Sequence, residues 1–157
     1  MMNTIRIGLI ADTHGLLRPE ATHALRGVDR ILHAGDICDA RVIEQLEQVA
    51  PVLAVRGNND KGEWADALHE TETLDVGGVK LHMIHDLQQL KPQPEAEGIQ
   101  VVISGHSHKP VVKRERGILF VNPGSAGPRR FRLPISLGFL EISDGVAKAR
   151  LQTLEVD

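Results

Sequence analysis

Short apolar runs, each closing on a polar residue, recur along the first half of the chain. "IRIGLIAD" is apolar almost throughout and ends at Asp12, which reads as a strand buried on both faces. In "RPEATHALRG", Pro19 suits a first helical turn and Gly27 a helix stop. "RILHAGD" repeats the strand pattern and ends at Asp36. Behind Asp39, a fitting N-cap, "DARVIEQLEQVA" sets Val42, Ile43, Leu46 and Val49 at helical spacing. "PVLAVRGNND" is a third strand that runs out into a polar loop. Strand, helix, strand, helix, strand within the first 60 residues predicts parallel pairing through right-handed crossovers. In such sheets ligands gather beyond the carboxyl ends of the strands.

The second half changes character. "HETETLDVGGVKLHMIHD" reads as a hairpin turning at Gly77 and Gly78, its second strand ending at His85. "QQLKPQPEAEG" is a loop or a poorly formed helix, broken by Pro92 and Pro94. "IQVVISGH" is another buried strand, and "VVKRERGILFVNPGS" a hairpin. "SLGFLEISDGVAKARLQTLEV" is a further hairpin, turning at Asp144 and Gly145. No repeats, linkers or low-complexity segments interrupt the pattern. Two packed sheets with helices outside accommodate both halves.

At 157 residues the chain can bury about two-thirds of the surface its unfolded form exposes, so residues 1–157 are expected to form a single domain. With 41% hydrophobic and 25% charged residues it is neither disordered nor collagen-like. Aromatic residues make up only 3%, which leaves the core to Leu, Ile, Val and Ala. The formal charge of −3 gives no broad electropositive surface for duplex nucleic acid, an unfavoured partner, but allows a local basic patch. Cys38 is the single cysteine, which precludes an intrachain disulfide or a thiolate-only zinc site and fits a reducing cytosol. The N-terminal run "IGLIA" is too short for a signal-peptide core and far short of the ~20 residues that span a bilayer. A soluble, cytoplasmic protein with no membrane contact is expected.

Almost every buried-looking strand ends in residues that bind metals. In chain order these are Asp12 and His14 in "ADTHG", Asp36 in "AGDICD", Asn58 in "GNND", His85 in "MIHD", and His106 and His108 in "GHSH". Seven candidate ligands thus lie at the ends of five strands. Should those ends meet, carboxylate, amide and imidazole donors converge. The mixture suits Mn²⁺, Fe, Zn²⁺, Co²⁺ or Ni²⁺; it is too nitrogen-rich for Ca²⁺ and too histidine-rich for Mg²⁺ alone. Seven ligands exceed the needs of one tetrahedral ion, and Asp36, mid-set, could bridge two ions ~3.5–4 Å apart. Gly15, Gly35, Gly57 and Gly105 lie beside the candidates, where the chain must bend.

Plainer roles are open to each residue alone. Asp12 and Asp36 could cap helices, and either His106 or His108 could be a satisfied histidine at a strand end. The ordered set is what favours metal. His33 and His82, within strands, and His23 and His69, on a helix or loop, read as structural or surface residues. Cys38 reads as a small buried hydrophobe, Trp64 as packing beneath its loop, and Asp60 as either a partner for a ligand histidine or a loop cap. "GPRRFRLP" sets Arg129, Arg130 and Arg132 after "NPGS". Guanidinium forks there suit the non-reacting end of a phosphorylated substrate or a nucleic-acid backbone; a solvated loop or subunit contact is the plainer reading.

From Ile5 to about Ser125, "DTHG", "GDICD", "GNND", a histidine closing an apolar strand, and "GHSHKP" followed by "NPGS" resemble the calcineurin-like metallophosphoesterase superfamily. Within it the chain is most similar to the small bacterial and archaeal phosphodiesterase branch, to which the retromer scaffold subunit is related. The resemblance implies an α/β fold, a four-layer α/β/β/α sandwich of two mixed β-sheets packed face to face with helices outside. It implies that Asp12, His14 and His108 hold one divalent transition-metal ion, that Asn58, His85 and His106 hold a second, and that Asp36 bridges them. Mn²⁺ is favoured, with Ni²⁺, Zn²⁺, Co²⁺ and Fe as alternatives. The implied activity is hydrolysis of a small or nucleotide-like phosphoester, a diester first, by a hydroxide held at that centre, with Asn58 touching a substrate oxygen. A homo-oligomer is compatible with this reading.

Two departures from the family pattern matter. Asn59 stands where many members carry a histidine that protonates or steadies the leaving group, although the carboxylate that orients it is kept as Asp39. A general acid contributes ~10²–10⁴-fold, so leaving groups that need little protonation are expected to be favoured. Asp86 replaces a glycine of many relatives and alters the pocket mouth. The alternative class is a non-catalytic metal-binding interaction scaffold, against which the complete ligand set argues.

Overall fold

The computed structural model describes residues 4–91 and 94–156. β1 (Ile5–Ile10), α1 (Pro19–Ala24), β2 (Arg30–His33), α2 (Ala40–Glu47) and β3 (Val52–Ala54) form the expected alternation, with β1, β2 and β3 paired in parallel. Pro19 opens α1, and the Asp39 side chain caps α2 by accepting the Arg41 N–H. A one-turn helix, α3 (Glu63–Asp66), follows the polar loop after β3; a single turn is too short to show a periodic stripe in the sequence. Its Trp64 packs, partly buried, against the helix-side core. β4 (Thr71–Val76) and β5 (Val79–Ile84) make the hairpin turning at Gly77 and Gly78. After β6 (Val101–Ile103) come two more hairpins, β7 (Val111–Glu115) with β8 (Ile118–Asn122) and β9 (Ser136–Ser143) with β10 (Val146–Thr153).

Two five-stranded mixed sheets result, ordered β10-β9-β1-β2-β3 and β4-β5-β6-β8-β7. The last hairpin returns to the first sheet, where β9 pairs antiparallel with β1; in the second sheet β6 runs parallel to β5 and β8. Period-two alternation then assigns the faces. Ile7, Leu9 and Leu32 of the first sheet join Leu81, Met83, Ile103 and Val121 of the second in the central core. Ile10, Ile31 and Phe139 belong to the outer core that Ala21 of α1 and Val42 and Leu46 of α2 complete. Across the molecule, Ile84, Ile99, Val102 and Ile118 lie under two single 3₁₀ turns, Leu87–Gln89 and Pro94–Glu97, so the fourth layer is thin. "QQLKPQPEAEG" thus forms turns rather than a regular helix, and Pro92 lies outside the described residues. Among the described residues no helix is long and apolar enough to cross a membrane.

A buried imidazole joins the loops that follow β1 and β2. His33 Nδ1 accepts the Gly35 N–H at 3.1 Å, its Nε2–H donates to Thr13 Oγ1 at 3.0 Å, and the Thr13 hydroxyl donates to Ile37 O at 3.2 Å. Burial, helped by the nearby His85, lowers the His33 pKa from 6.5 to about 3, so the ring is neutral. The unfolded chain binds this proton first, and stability contributed above pH 6.5 is lost as pH falls toward 3. In metal-free protein the urea midpoint is therefore expected to drop between pH 7 and pH 5, and to drop less in His33→Gln. An equal drop in both proteins would refute a buried, neutral His33.

Candidate metal centre

Asp12 and His14 lie beyond the end of β1, Asp36 beyond β2, Asn58 beyond β3, His85 beyond β5, and His106 and His108 beyond β6. The fold brings them to one place. His14 Nε2 stands 3.3 Å from His108 Nε2, 3.6 Å from Asp36 Oδ2 and 4.0 Å from Asp12 Oδ1. His85 Nε2 stands 3.3 Å from Asp36 Oδ2 and 3.9 Å from Asp12 Oδ1, while His108 Nε2 is 3.7 Å from Asp12 Oδ1. Two triads, Asp12–His14–His108 and Asp12–Asp36–His85, each keep their donor atoms within 4.8 Å of one another. Asp12 belongs to both, and Asp36 Oδ2 neighbours His14 and His85 alike. His106 and Asn58 form the exposed margin: His106 Nδ1 is 3.2 Å from Asn58 Oδ1, and its ring meets that of His85 edge-on at 5.2 Å.

The backbone bends sharply to present these groups. Asp12, His14, Asp36, His106 and His108 have φ of 54°, 45°, 58°, 72° and 64°, the left-handed region, which costs an L residue about 1–2 kcal/mol. Hydrogen bonds between loops hold them there. Buried Asp60 accepts the N–H groups of Asp36 at 3.0 Å, Cys38 at 2.8 Å and Gly57 at 2.8 Å, and so acts as a loop clamp rather than a histidine partner. Gly57 is required by contact: a Cβ there would lie 2.3 Å from both the N and Oδ1 of Asp36. Asp12 Oδ2 accepts the His106 N–H at 3.1 Å. The Asn122 amide donates to Gly105 O at 3.0 Å and Ser107 Oγ at 3.1 Å, pinning the loop that carries both histidines.

Burial shapes the charges. It lifts the Asp12 carboxyl to about 7 against the attraction of His85, with Asp36 adding to the rise. Burial pushes Asp36 the same way, but contacts from His85 and Asn59 prevail and hold it well below the usual carboxylate range. Burial, then the charges of Arg130 and His14, brings His108 down to about 4, and burial also lowers His14. His85 is raised, because Asp36 outweighs the burial that opposes its charge. Its Nδ1–H donates to Ala34 O at 2.7 Å, so in the neutral ring Nε2 carries the lone pair that faces the carboxylates. Asp12 Oδ1, His85 Nε2 and His108 Nδ1 are buried without a hydrogen-bond partner among the described residues. Such orphaned atoms are rare and costly. A cation among the carboxylates and imidazoles would satisfy Asp12 Oδ1 and His85 Nε2, and the oxygen–nitrogen donor set fits a divalent transition metal.

The neighbouring residues divide between the site and its supports. Asn59 donates its backbone N–H to Asp36 Oδ1 and its side-chain amide to Asp36 Oδ2, both at 2.9 Å. The Asp39 carboxylate caps α2 and pairs with Arg41 at 2.7 Å. Cys38 Sγ lies 3.7 Å from His14 Nδ1, and burial with Asp60 and Asp36 nearby pushes its thiol up to about 11. Asp86 Oδ1 accepts the Gln88 N–H, while Oδ2 is 4.0 Å from His106 Nε2. With Arg56, Asn58, His85 and Gln89, it borders a cavity of about 190 Å³ beside the cluster. Sequence reading missed Asn122, whose place in "NPGS" gives no sign of the loop it would hold.

Known proteins share this sequence pattern and fold. Residues 5–145 match the family model described as the calcineurin-like phosphoesterase superfamily domain. The chain is 34% identical, over 97% of its own length and 83% of the relative's, to a "Probable metallophosphoesterase" of Methanocaldococcus jannaschii. It is 29% identical, over 76% of its length and 83% of the relative's, to a phosphodiesterase of the same organism. The solved structure of Vacuolar Protein Sorting 29 from Cryptosporidium parvum superposes with a TM-score of 0.77 at 19% identity, covering 98% of this chain and 99% of that one, a likeness of fold. With the family match running from β1 to the turn between β9 and β10, and every strand-end motif inside it, this chain belongs to the calcineurin-like phosphoesterase superfamily.

Proposed function

We propose that this chain is a phosphodiesterase that hydrolyses small or nucleotide-like diesters at a centre for two divalent transition-metal ions. The observation that supports it best is the pair of buried, unpartnered atoms, Asp12 Oδ1 and His85 Nε2, at the meeting point of two ligand triads. In this reading Asp12, His14 and His108 hold the first ion, Asn58, His85 and His106 hold the second, and Asp36 is shared. Ions bound there supply Lewis acidity, lowering the pKa of a water toward neutrality and offsetting charge on phosphoryl oxygens. Mn²⁺ is the first candidate for this mixed donor set, with Ni²⁺, Zn²⁺, Co²⁺ and Fe²⁺ behind it.

The chain's own groups do the positioning. Ala34 O sets the His85 tautomer, Asn59 steadies Asp36 with two amide donors, and exposed Asn58 and His106 face the entering phosphoester. Asn59 cannot donate a proton to a departing alkoxide, and Asp39 is engaged by Arg41. Diesters whose leaving group is stable as an anion, such as an aryl oxide, are the favoured substrates.

Two measurements test this reading. Adding Mn²⁺ to metal-free protein at about 100 times its Kd should raise Tm by roughly 5–11 °C, from ~2.7 kcal/mol of linkage and ~2–4 °C per kcal/mol for a domain of this size. Asp36→Asn should lose most of that rise; an equal rise would remove Asp36 from the centre. Hydrolysis of bis(p-nitrophenyl) phosphate should require added metal and fall by about 10²–10³-fold or more in kcat/KM in Asp36→Asn. Inactivity with Mn²⁺, Ni²⁺, Co²⁺, Zn²⁺ and Fe²⁺ alike would replace the enzyme by an interaction scaffold.

A further inference from the structure

Beside the metal cluster, on the loop between Ser125 and Ile135, stands a group of residues that the hydrolytic chemistry does not use. Its stem is fixed to the strand end that carries Asp12. Ser125 Oγ donates to Asp12 O at 3.0 Å, the Arg18 guanidinium donates to Gly127 O at 3.3 Å, and a Cβ on Gly127 would lie 2.2 Å from Thr13 O. Arg130 therefore begins no more than ~11 Å of chain from this anchor.

The tip is a turn closed by Leu133 N–H donating to Arg130 O at 3.1 Å. Phe131, inside it, has φ of 53° and is 91% exposed. A bulky residue rarely adopts that backbone, and burial does not compensate for it here. Arg129, Arg130 and Arg132 flank Phe131 in sequence, and no carboxylate occurs between Glu115 and Glu141. Among the described residues the arginine ion pairs are those of Arg6, Arg41 and Arg56, which leaves these three for an anion.

We propose that this loop is a single-stranded nucleic-acid subsite: Phe131 stacks on a base, and Arg129, Arg130 and Arg132 hold phosphates on either side, feeding a strand to the metal centre. An aromatic face interleaved with guanidinium groups is the arrangement that binds such strands with little regard to sequence. A duplex would hide the base faces and would need a wider basic surface than a net charge of −3 provides. The inference rests on the phosphodiesterase reading for the fate of the strand, but not for its binding.

The test uses metal-loaded protein and two fluorescein-labelled, phosphorothioate-linked hexamers, one of thymidines and one of abasic residues, followed by fluorescence anisotropy. Wild type should bind the thymidine hexamer about tenfold more tightly than the abasic one. Phe131→Ala should abolish that preference with no loss of Tm, and Phe131→Tyr should keep it. Arg129→Ala with Arg130→Ala should weaken both hexamers and lower the salt slope by about 0.7 for each phosphate no longer held. Equal binding of the two hexamers by wild type, or a base preference that survives Phe131→Ala, overturns the proposal. Bis(p-nitrophenyl) phosphate hydrolysis by wild type is read in parallel. Activity without base preference removes the subsite alone; base preference without activity removes the catalytic reading and leaves a binding site.

Discussion

Asp60 is the carboxylate on which the arrangement of the cluster depends. Buried between the loops after β2 and β3, it gathers three backbone N–H groups, those of Asp36, Cys38 and Gly57. Asp36 and Cys38 sit in left-handed backbone at φ of 58° and 68°, a conformation that persists only when its surroundings impose it. A hydrogen bond to an ionised acceptor contributes about 1.5–3 kcal/mol, enough to outweigh that strain at each residue. Asn59 follows on the same loop, so the clamp also delivers the two amide donors that fix Asp36. Asp36, so held, is what His14 and His85 approach from opposite loops.

The second sheet is tied in by contacts of the same kind. The His106 N–H reaches Asp12 Oδ2, the His85 ring reaches Ala34 O, and Ser125 Oγ reaches Asp12 O. Each bond crosses from one sheet's loops to the other's. Packing Leu9 and Leu32 against Met83 and Ile103 therefore also brings the two halves of the candidate ligand set together. Closing the sandwich and assembling the site are one process. Hydrophobic burial stabilises both.

Local pattern carried most of the architecture. Apolar runs ending at Asp12, Asp36, Asn58, His85 and His106 marked strand ends, and the Gly77-Gly78 and Asp144-Gly145 turns marked hairpins, because both signals lie within a few neighbouring residues. Long-range choices left no such trace. The pairing of β9 with β1 joins residues such as Ile5 and Ile142, and neither sequence neighbourhood names its partner. α3 is too short for a period. At the site, residue types announced the candidate ligands, but roles set by contact stayed hidden. Asn59 could be read as a missing acid but not as the residue that grips Asp36. Asp60 offered two roles, of which only packing selects one. The pairing of Asp39 with Arg41 could not be known either. Left-handed backbone at five candidate ligands is likewise invisible in letters, since only glycine advertises it and none of the five is glycine.

Both sheets are open, and so each has two edge strands, β10 and β3 in the first and β4 and β7 in the second. β3 is only three residues long, while β4 displays Asp75 outward, β7 displays Lys113, Arg114 and Glu115, and β10 displays Lys148 and Arg150. A strand from a neighbouring molecule that sought to extend either sheet would find ammonium, guanidinium or carboxylate groups crowding its path, or too short a ladder to grip. Charge at these margins thus disfavours edge-to-edge pairing, independently of the chemistry at the strand ends.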